Sequence, residues 1–524
     1  MQTYALTIDK FLDHAAKWFP GREVVTAGVD GASRRITYAA LHDRSGRLSG
    51  ALAALGLGFG DRIGTLAWNT QHHFELYYAS MGAGLVCHTL NPRLTVEHLA
   101  AMINEAEDRV LAVAANLAAV AAKLLPLCPQ LEHVVILDAA PSAEMATGQA
   151  KIWLYEQLLE VHGAEAPWGA FPEDTPAGLC FTSGTTGRPK GVLYTHRSNY
   201  LHTLRALQAD AFAFTSQDVV LAAVPMFHAN AWGLPFAAPA VGAKLILPGR
   251  QADGACLAKL MRSEGVTVAV GVQTVWLGVA EYLDATGETL PALQRVIVGG
   301  SNCPEALIER LGKSFGAHVQ TTWGMTELSP LGTVAPASEK AVRPDAGRPM
   351  IGLDLLLTDA EGAVLTMQRG VIGHLKVRGP SVVDRYFNAD EDALDANGWF
   401  DTGDLASIDE EGNLTLCGRS KDLIKSGGEW INPAEIEAIV GRSPAVAQVA
   451  VVARQHPKWG ERPVLIVEPR QGETIEDAAL IDLLRGAVAD WWLPDWVVQL
   501  PVMPIAATGK IDKMRLRFEF GGGE

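Results

Sequence analysis

The stretch FTSGTTGRPKG, residues 181–191, decides how the rest of the chain is read. It follows the apolar run AGLCF, crowds hydroxyls and glycines together, and ends on Arg188, Pro189 and Lys190 before Gly191. Taken alone, it stays open between a solvated linker and a loop whose successive N–H groups and hydroxyls gather around one anion. It is not a Walker A loop. That pattern needs four residues between its glycines and Lys-Ser/Thr afterwards, whereas Gly184 and Gly187 have two between them and Lys190 precedes Gly191. The Pro-Lys-Gly ending and the strand-like lead favour phosphate.

The chain has 524 residues, enough for two or more domains of ~100–200 residues each. With 48% hydrophobic and 19% charged residues, it can bury large cores. A formal net charge of −16 argues against wholesale electrostatic binding to nucleic acid, so an anionic ligand must be held by local cations and backbone N–H groups. Six scattered cysteines without a CxxC pair predict reduced, mostly buried thiols in a cytoplasmic protein. The N-terminus carries acids early and lacks a secretory pattern. The uncharged stretch from Val219 to Ala243 is long enough for a membrane span, but Pro225, Pro235, Pro239, His228 and Asn230 interrupt it. It reads as buried core containing a site, with no integral membrane segment; peripheral membrane contact stays open.

Helical periodicity alternates with short β-rich runs, which predicts α/β layers. Leu41, Leu48, Leu52 and Leu55 share a helical face that stops at Gly56, and RIGTLAW, VLAVAA and HVVILDA read as buried strands. LKVRG and LTLCG read as strands of a later, more antiparallel region. GLGFGDRIG does not read as a dinucleotide loop, because Asp61 takes the third-glycine position and the glycines follow a helix. Beyond Gly418 the pattern changes. Asn432, Pro433 and Glu435 announce a helix with a capping box, two strands follow, and DAALIDLLRGAVADWW reads as one helix. The expected division is a large domain over residues 1–419 and a small α+β domain over 420–524.

Four further segments follow the opening loop in order: QTTWGMTE (320–327), GWFDTGD (398–404), GRSKDLIKSGGEWINPAEIE (418–437) and ATGKIDK (507–513). Together with FTSGTTGRPKG they resemble the signature segments of the adenylate-forming superfamily, which includes acyl-CoA synthetases, luciferases and peptide-synthetase adenylation domains. The resemblance implies a large layered α/β domain with a small mobile α+β domain. It also implies a two-step ligase using ATP, Mg²⁺ and coenzyme A. Thr182, Ser183, Gly184, Thr185, Thr186 and Lys190 would hold the β- and γ-phosphates. Gly300, Ser301, Thr322, Trp323, Gly324, Met325 and Thr326 would face the nucleotide, with Thr326 at the α-phosphate. Glu327 and Thr182 would serve Mg²⁺, which takes few protein carboxylates beside phosphate oxygens. Asp404 and Arg419 would hold the ribose. Lys510 would stabilise the charge that develops around phosphorus. Lys421 would be the pivot of the small domain, and Lys425, Gly427, Gly428, Glu429 and Trp430 would meet the pantetheine arm after rotation.

PMFHANAWGLPF (225–236) speaks to the acid. His228 and Trp232 are four apart, which places them on one face if the segment is helical. The resemblance makes His228 a catalytic and substrate-binding residue and Trp232 a gate on an acyl tunnel. Val270, Gly271, Gln273, Val298, Gly299, Gly300 and Gly324 would supply other walls, with the glycines leaving room for an acyl chain. SGGEWIN and the segment TLAWNTQHHFELYYASMGAGLVCHTLNPRL extend the resemblance to medium- and long-chain fatty-acid–CoA ligases and to ligases of short thioether acids such as 3-methylthiopropionate. It implies a homodimer as well. One departure stands out: Asp384-Arg385 precedes Tyr386 where many relatives carry a small residue.

Overall fold

A computed structural model describes residues 2, 4–28, 32–138, 150–182, 189–300, 303–338, 342–427, 429–470, 472–506 and 510–522. Two large sheets form the body. One has seven strands in the order Lys151–Leu154, His133–Ile136, Val110–Val113, Arg62–Leu66, Val86–Thr89, Pro176–Phe181, Gly191–Thr195. All are parallel to their neighbours except the last, which returns antiparallel on Pro176–Phe181. Val86–Thr89 and Val110–Val113 are buried at every position, as strands covered on both faces must be. The second sheet has nine strands. Its central members Val219–Ala222, Lys244–Leu247, Val268–Val272, Arg295–Gly299 and His318–Gly324 are parallel, and the run Leu331–Val334 turns back antiparallel at one edge.

The helix Gln71–Gly82 lies between these sheets and touches strands of both. Every one of its residues after Gln71 is buried, which explains a sequence with no polar face. Its Tyr77 hydroxyl donates to the Met226 carbonyl and its Tyr78 hydroxyl to Pro235 O at 2.9 Å. Two phenols thus pin the segment 225–236 from below. The stretch from Val219 onward is indeed core, split into a strand, a tight turn and the helix Leu234–Val241. Among the described residues, no helix is long and apolar enough to cross a membrane.

A third, antiparallel sheet comprises Asp354–Thr358, Ile372–Arg378, Phe400–Ile408 and Leu414–Arg419. After Arg419 a separate five-stranded sheet begins at Ile424–Ser426, with its own core of Ile424, Ile431, Ile436, Val451, Leu465 and Leu484. The architecture is a large layered α/β domain followed by a small α+β one.

Two expectations need amendment. Asn432 does cap the helix Pro433–Val440, accepting from Ala434 N at 3.1 Å, but Glu435 reaches the Asn432 side-chain amide instead of its backbone N–H. The helix expected over DAALIDLLRGAVADWW ends after Asp477–Asp482, because Gly486 takes φ 73° and turns the chain out of the helix.

Candidate active site

The strands Pro176–Phe181 and Gly191–Thr195 pair antiparallel, so the stretch quoted first is the tip of a hairpin. Thr182 N donates to Lys190 O at 2.9 Å and closes the base of that tip. Ser183, Gly184, Thr185 and Thr186 lie outside the described residues, as do Ser301 and Gly428. The Lys190 ammonium sits 4.7 Å from the ring centroid of Tyr386, whose hydroxyl donates to Glu327 Oε1 at 3.0 Å. The loop bearing Tyr386 is held by Phe387 N donating to Gly191 O and Val383 N donating to Glu327 O, both at 2.8 Å. Asp384-Arg385 does not enter this arrangement. Arg385 pairs with Asp392 at 2.6 Å on the surface.

Glu327 is buried, and burial raises its carboxyl above the usual range while Tyr386, Arg419 and Lys190 pull the other way. The donor set fits magnesium. The single buried carboxylate of Glu327 suits an ion that takes few protein carboxylates and is completed by phosphate oxygens. Thr326 is buried beside Glu327, and its carbonyl accepts from the Tyr194 hydroxyl at 2.8 Å.

Asp404 and Arg419 face each other across paired strands, with Arg419 Nε 2.8 Å from Asp404 Oδ1. Trp323 Nε1 donates to Asp404 Oδ2 at 3.1 Å. Burial raises the Asp404 carboxyl, and Arg419 is the main counterweight. Trp323, Thr322, Gly324 and Met325 all lie on or just after the strand His318–Gly324. Thr322 Oγ1 donates to Val298 O at 3.2 Å, tying that strand to Arg295–Gly299.

Lys510 belongs to the small domain yet points into this group. A side chain at Gly300 would start 3.6 Å from Lys510 Cε. Surrounding protein lowers the Lys510 pKa, Arg419 lowers it further, and Asp404 and Glu327 act against both. The residue still carries accessible surface, so the ammonium stands at a cleft wall and not in a core.

The segment carrying His228 and Trp232 is not α-helical. His228 is extended, and Ala229, Asn230, Ala231 and Trp232 all have positive φ (44°, 52°, 49° and 56°) before Gly233 at 79°. For residues with a Cβ, this left-handed region costs roughly 1–2 kcal/mol each. The turn directs the Trp232 ring across Gly299, where a Cβ would lie 2.8 Å from Trp232 Cη2 and 2.3 Å from Thr322 Oγ1. His228 is half-buried, and the desolvation of its ring lowers its pKa to about 4, with Lys510 adding to the effect.

The pleat sorts the remaining wall residues. Val270 packs in the same cluster as Trp232, while Val298 packs with Trp276 on the opposite, helix-covered face. Gly271 also faces that side: a Cβ there would meet Trp276 at 2.7 Å, so it makes room for an indole and not for a ligand. Gly299 accommodates Trp232, and Gly324 abuts Pro330 O, where a Cβ would lie at 2.2 Å. Of the expected glycines, Gly300 is the one facing the cleft. Gln273 begins the helix Gln273–Thr286 directly after the central strand Val268–Val272.

Around the proposed pivot, Ser420 Oγ donates to Gly403 O at 3.2 Å on the large-domain side, and Arg517 pairs with Asp422 at 2.5 Å on the small-domain side. Lys421 is exposed between them. Lys425 and Trp430 pair across a hairpin, the ammonium 5.3 Å from the indole, while Glu429 and Trp430 face solvent. Gly427 takes φ 61°, and its N–H donates to Trp459 O at 2.8 Å. Lys510, Glu327, Asp404, Arg419, Lys190, His228 and Trp232 are thus gathered around one cleft, and the Lys425–Trp430 hairpin is the part displayed elsewhere. Tyr386 and Tyr194 are participants that motif reading missed. Only for Tyr386 was there a signal, its position directly after the Asp384-Arg385 departure.

This fold and this constellation define an adenylate-forming ligase. A model of the AMP-binding enzyme family matches residues 12–387, and one of the AMP-binding enzyme C-terminal domain matches residues 435–510. The chain is 41% identical to a 3-methylmercaptopropionyl-CoA ligase of Ruegeria lacuscaerulensis, over 99% of this chain and 98% of that one. It is 39% identical to a medium-chain-fatty-acid–CoA ligase of Ectopseudomonas oleovorans, over 99% and 97%. With a long-chain-fatty-acid–CoA ligase of Thermus thermophilus it shares 40%, over 99% and 96%. Among solved structures, ATP-bound MatB from Rhodopseudomonas palustris superposes with a TM-score of 0.84 at 26% identity, covering 98% of this chain and 99% of that one. The anthranilate CoA ligase AuaEII, in complex with anthranoyl-AMP, shares the fold with a TM-score of 0.88 at 22% identity, over 99% and 98%. The chain belongs to the AMP-binding enzyme family and is an acid–thiol ligase of the acyl-CoA synthetase type.

Proposed function

We propose that this enzyme activates a medium- to long-chain fatty acid as its acyl-adenylate and then transfers the acyl group to coenzyme A. The observation that carries this reading is Lys510 set against Gly300 among Arg419, Asp404 and Glu327, with His228 and Trp232 on the acid side of the same cleft. In the first step a carboxylate oxygen bonds to the α-phosphorus and pyrophosphate leaves. Lys510 and Thr326 steady the charge at the α-phosphate, while Lys190 and the loop 182–186 hold the departing phosphates. Asp404 and Arg419 keep the ribose in place. Glu327 and Thr182 would hold Mg²⁺, which when bound neutralises charge on the β- and γ-phosphates. Burial keeps His228 neutral near pH 7, so it can line the carboxylate without competing with Lys510.

In the second step the thiol attacks the acyl carbon, the thioester C–S bond forms, and AMP leaves as the thiol proton departs. Access requires Lys510 to withdraw. We place the boundary at 419/420 and the pivot at Lys421, between the Ser420–Gly403 and Asp422–Arg517 anchors. Rotation there brings the hairpin Lys425–Trp430 to the cleft, with Gly427 and Gly428 admitting the pantetheine arm. A homodimer in the cytoplasm completes the reading, and light scattering checks the oligomeric state.

A short thioether acid is the second reading. Trp232 lying across Gly299 narrows the acid side, and the Ruegeria lacuscaerulensis relative is named for such an acid. CoA-dependent pyrophosphate release should be measured from propionate through palmitate, with 3-methylthiopropionate and cinnamate included. A kcat/KM that climbs with chain length supports the fatty-acid reading, a peak at 3-methylthiopropionate supports the second, and activity confined to cinnamate sinks both.

A further inference from the structure

Four successive residues with a Cβ in the left-handed region, Ala229 to Trp232, need neighbours that hold them there. Asparagine often stabilises such backbone through its own side-chain hydrogen bonds. Asn230 does not: it is 1% exposed, and neither its amide nitrogen nor its oxygen has a hydrogen-bond partner among the described residues. Inside the segment, His228 N donates to Pro225 O and Ala231 N to His228 O, both at 3.1 Å. Those bonds tie the turn to the stretch just before it. Where His228 and Trp232 stand therefore depends on what fixes Pro225 and Met226.

Asn69 fixes them. It lies in the short connection between the strand Arg62–Leu66 of the seven-stranded sheet and the helix Gln71–Gly82. Its buried side chain reaches across to the end of the strand Val219–Ala222 in the nine-stranded sheet. Asn69 Nδ2 donates to Ala222 O at 2.8 Å and to Val224 O at 2.7 Å, and Oδ1 accepts from Met226 N at 2.7 Å. Two carbonyls and one N–H fit only one orientation of an amide, and here every one of them is matched. Pro225, between the bonded residues, has no N–H to offer. The Tyr77 hydroxyl donates to the carbonyl of the same Met226, so both polar groups of that residue are gripped from the segment 69–77. The Asn69 main chain is held separately, by Gly249 N donating to Asn69 O at 3.0 Å. The side chain can thus be shortened without releasing the backbone that carries it.

We propose that Asn69 is a positioning residue for acid recognition: its amide fixes the chain from Ala222 to Met226 and thereby sets where His228 and Trp232 stand. The inference rests on the reading that these two residues meet the acyl group. Losing the amide removes three hydrogen bonds at the root of the turn, so the Trp232 ring shifts against Gly299 and discrimination between acids blurs. The ATP end of the site is bonded independently of Asn69, through Asp404, Arg419 and Trp323.

The test is acid-dependent pyrophosphate release by the full-length enzyme across the acid series, on native protein, Asn69→Ala, Tyr77→Phe and Ser49→Ala. Native enzyme that activates no acid overturns the functional reading itself. Given native activity, Asn69→Ala should raise KM for the best acid about tenfold while KM for ATP stays within about twofold. The ratio of kcat/KM between acids two methylenes apart should change by about fivefold in the same variant. Tyr77→Phe, which removes one of the two grips on Met226, should move both acid quantities in the same direction by about threefold. Ser49→Ala removes a buried hydroxyl that donates to Ala79 O at 2.8 Å on the same helix, and should leave the acid ratio native. An acid KM and ratio unchanged in Asn69→Ala overturns the proposal. So does a loss shared equally by acid and ATP, or one that Ser49→Ala reproduces, since either marks a general loosening of the fold. If Asn69→Ala does not fold, Tyr77→Phe decides alone: a shifted acid ratio with native KM for ATP supports the proposal, and a native ratio overturns it.

Discussion

The Tyr386 hydroxyl donates to Oε1 of Glu327 at 3.0 Å, while the Lys190 ammonium lies 4.7 Å from the same ring. One phenol therefore braces the acid proposed to hold magnesium and the cation proposed to hold phosphate. Removing only the hydroxyl should weaken magnesium use without touching the acid. Tyr386→Phe is expected to raise the Mg²⁺ concentration for half-maximal ATP binding about tenfold, ~1.4 kcal/mol. Calorimetric ATP titrations at several Mg²⁺ levels, without any acid present, check this. An unchanged Mg²⁺ dependence would show that Glu327 does not need the phenol.

Lys510 belongs to a half-reaction, not to the whole cycle. Lys510→Ala should slow acid-dependent pyrophosphate release by about 100-fold or more, yet leave thioester formation from preformed acyl-adenylate and CoA within a few-fold of native. Equal loss in both assays would remove Lys510 from the role given to it.

Gly299 tests the acid pocket from the opposite wall. A methyl there would lie 2.3 Å from Thr322 Oγ1 and 2.8 Å from Trp232, so the indole must move. Gly299→Ala should change the ratio of kcat/KM between acids two methylenes apart by about tenfold, within the ~1–3 kcal/mol that a methylene commands in an apolar pocket. The ratio is read from competition assays with paired acids.

His202 should make part of the stability pH-dependent. It is fully buried and accepts from Leu331 N at 3.0 Å, and burial lowers its pKa to about 3. Above pH ~6.5 the imidazole is neutral in both folded and unfolded chains, so its contribution is complete. As pH falls below that value the unfolded chain takes up a proton that the folded one refuses, and stability drops by up to about 1.4 kcal/mol per pH unit. His202→Gln should be less stable at pH 7 by about 1–3 kcal/mol, and the gap should narrow by about 2 kcal/mol at pH 5. Denaturant midpoints at pH 7, 6 and 5 measure it. A gap independent of pH would mean that His202 titrates in the fold as it does in the unfolded chain.

Much of this site was legible in residue order. The strand before the glycine-rich loop and the separate sheet after Arg419 follow from local patterns, a run of apolar strand residues and a capped helix, whereas Asp404 and Arg419 were marked only by the resemblance of their segments. The acid side was less so. Spacing put His228 and Trp232 on one helical face, but the backbone between them is left-handed, a conformation no local propensity announces for Ala-Asn-Ala-Trp. Gly271 and Gly299 look alike in sequence and serve different faces of one sheet.

By itself, then, the sequence determined the layered fold, the two-domain order and the adenylate-forming chemistry, because each is written in short-range patterns that fold or bind locally. Tertiary structure alone decided that Lys510 faces Gly300 and that Tyr386 joins Glu327 to Lys190. Those relationships join residues far apart in the chain, and which of them meet depends on strand order, the face each pleat presents and the pose of the small domain.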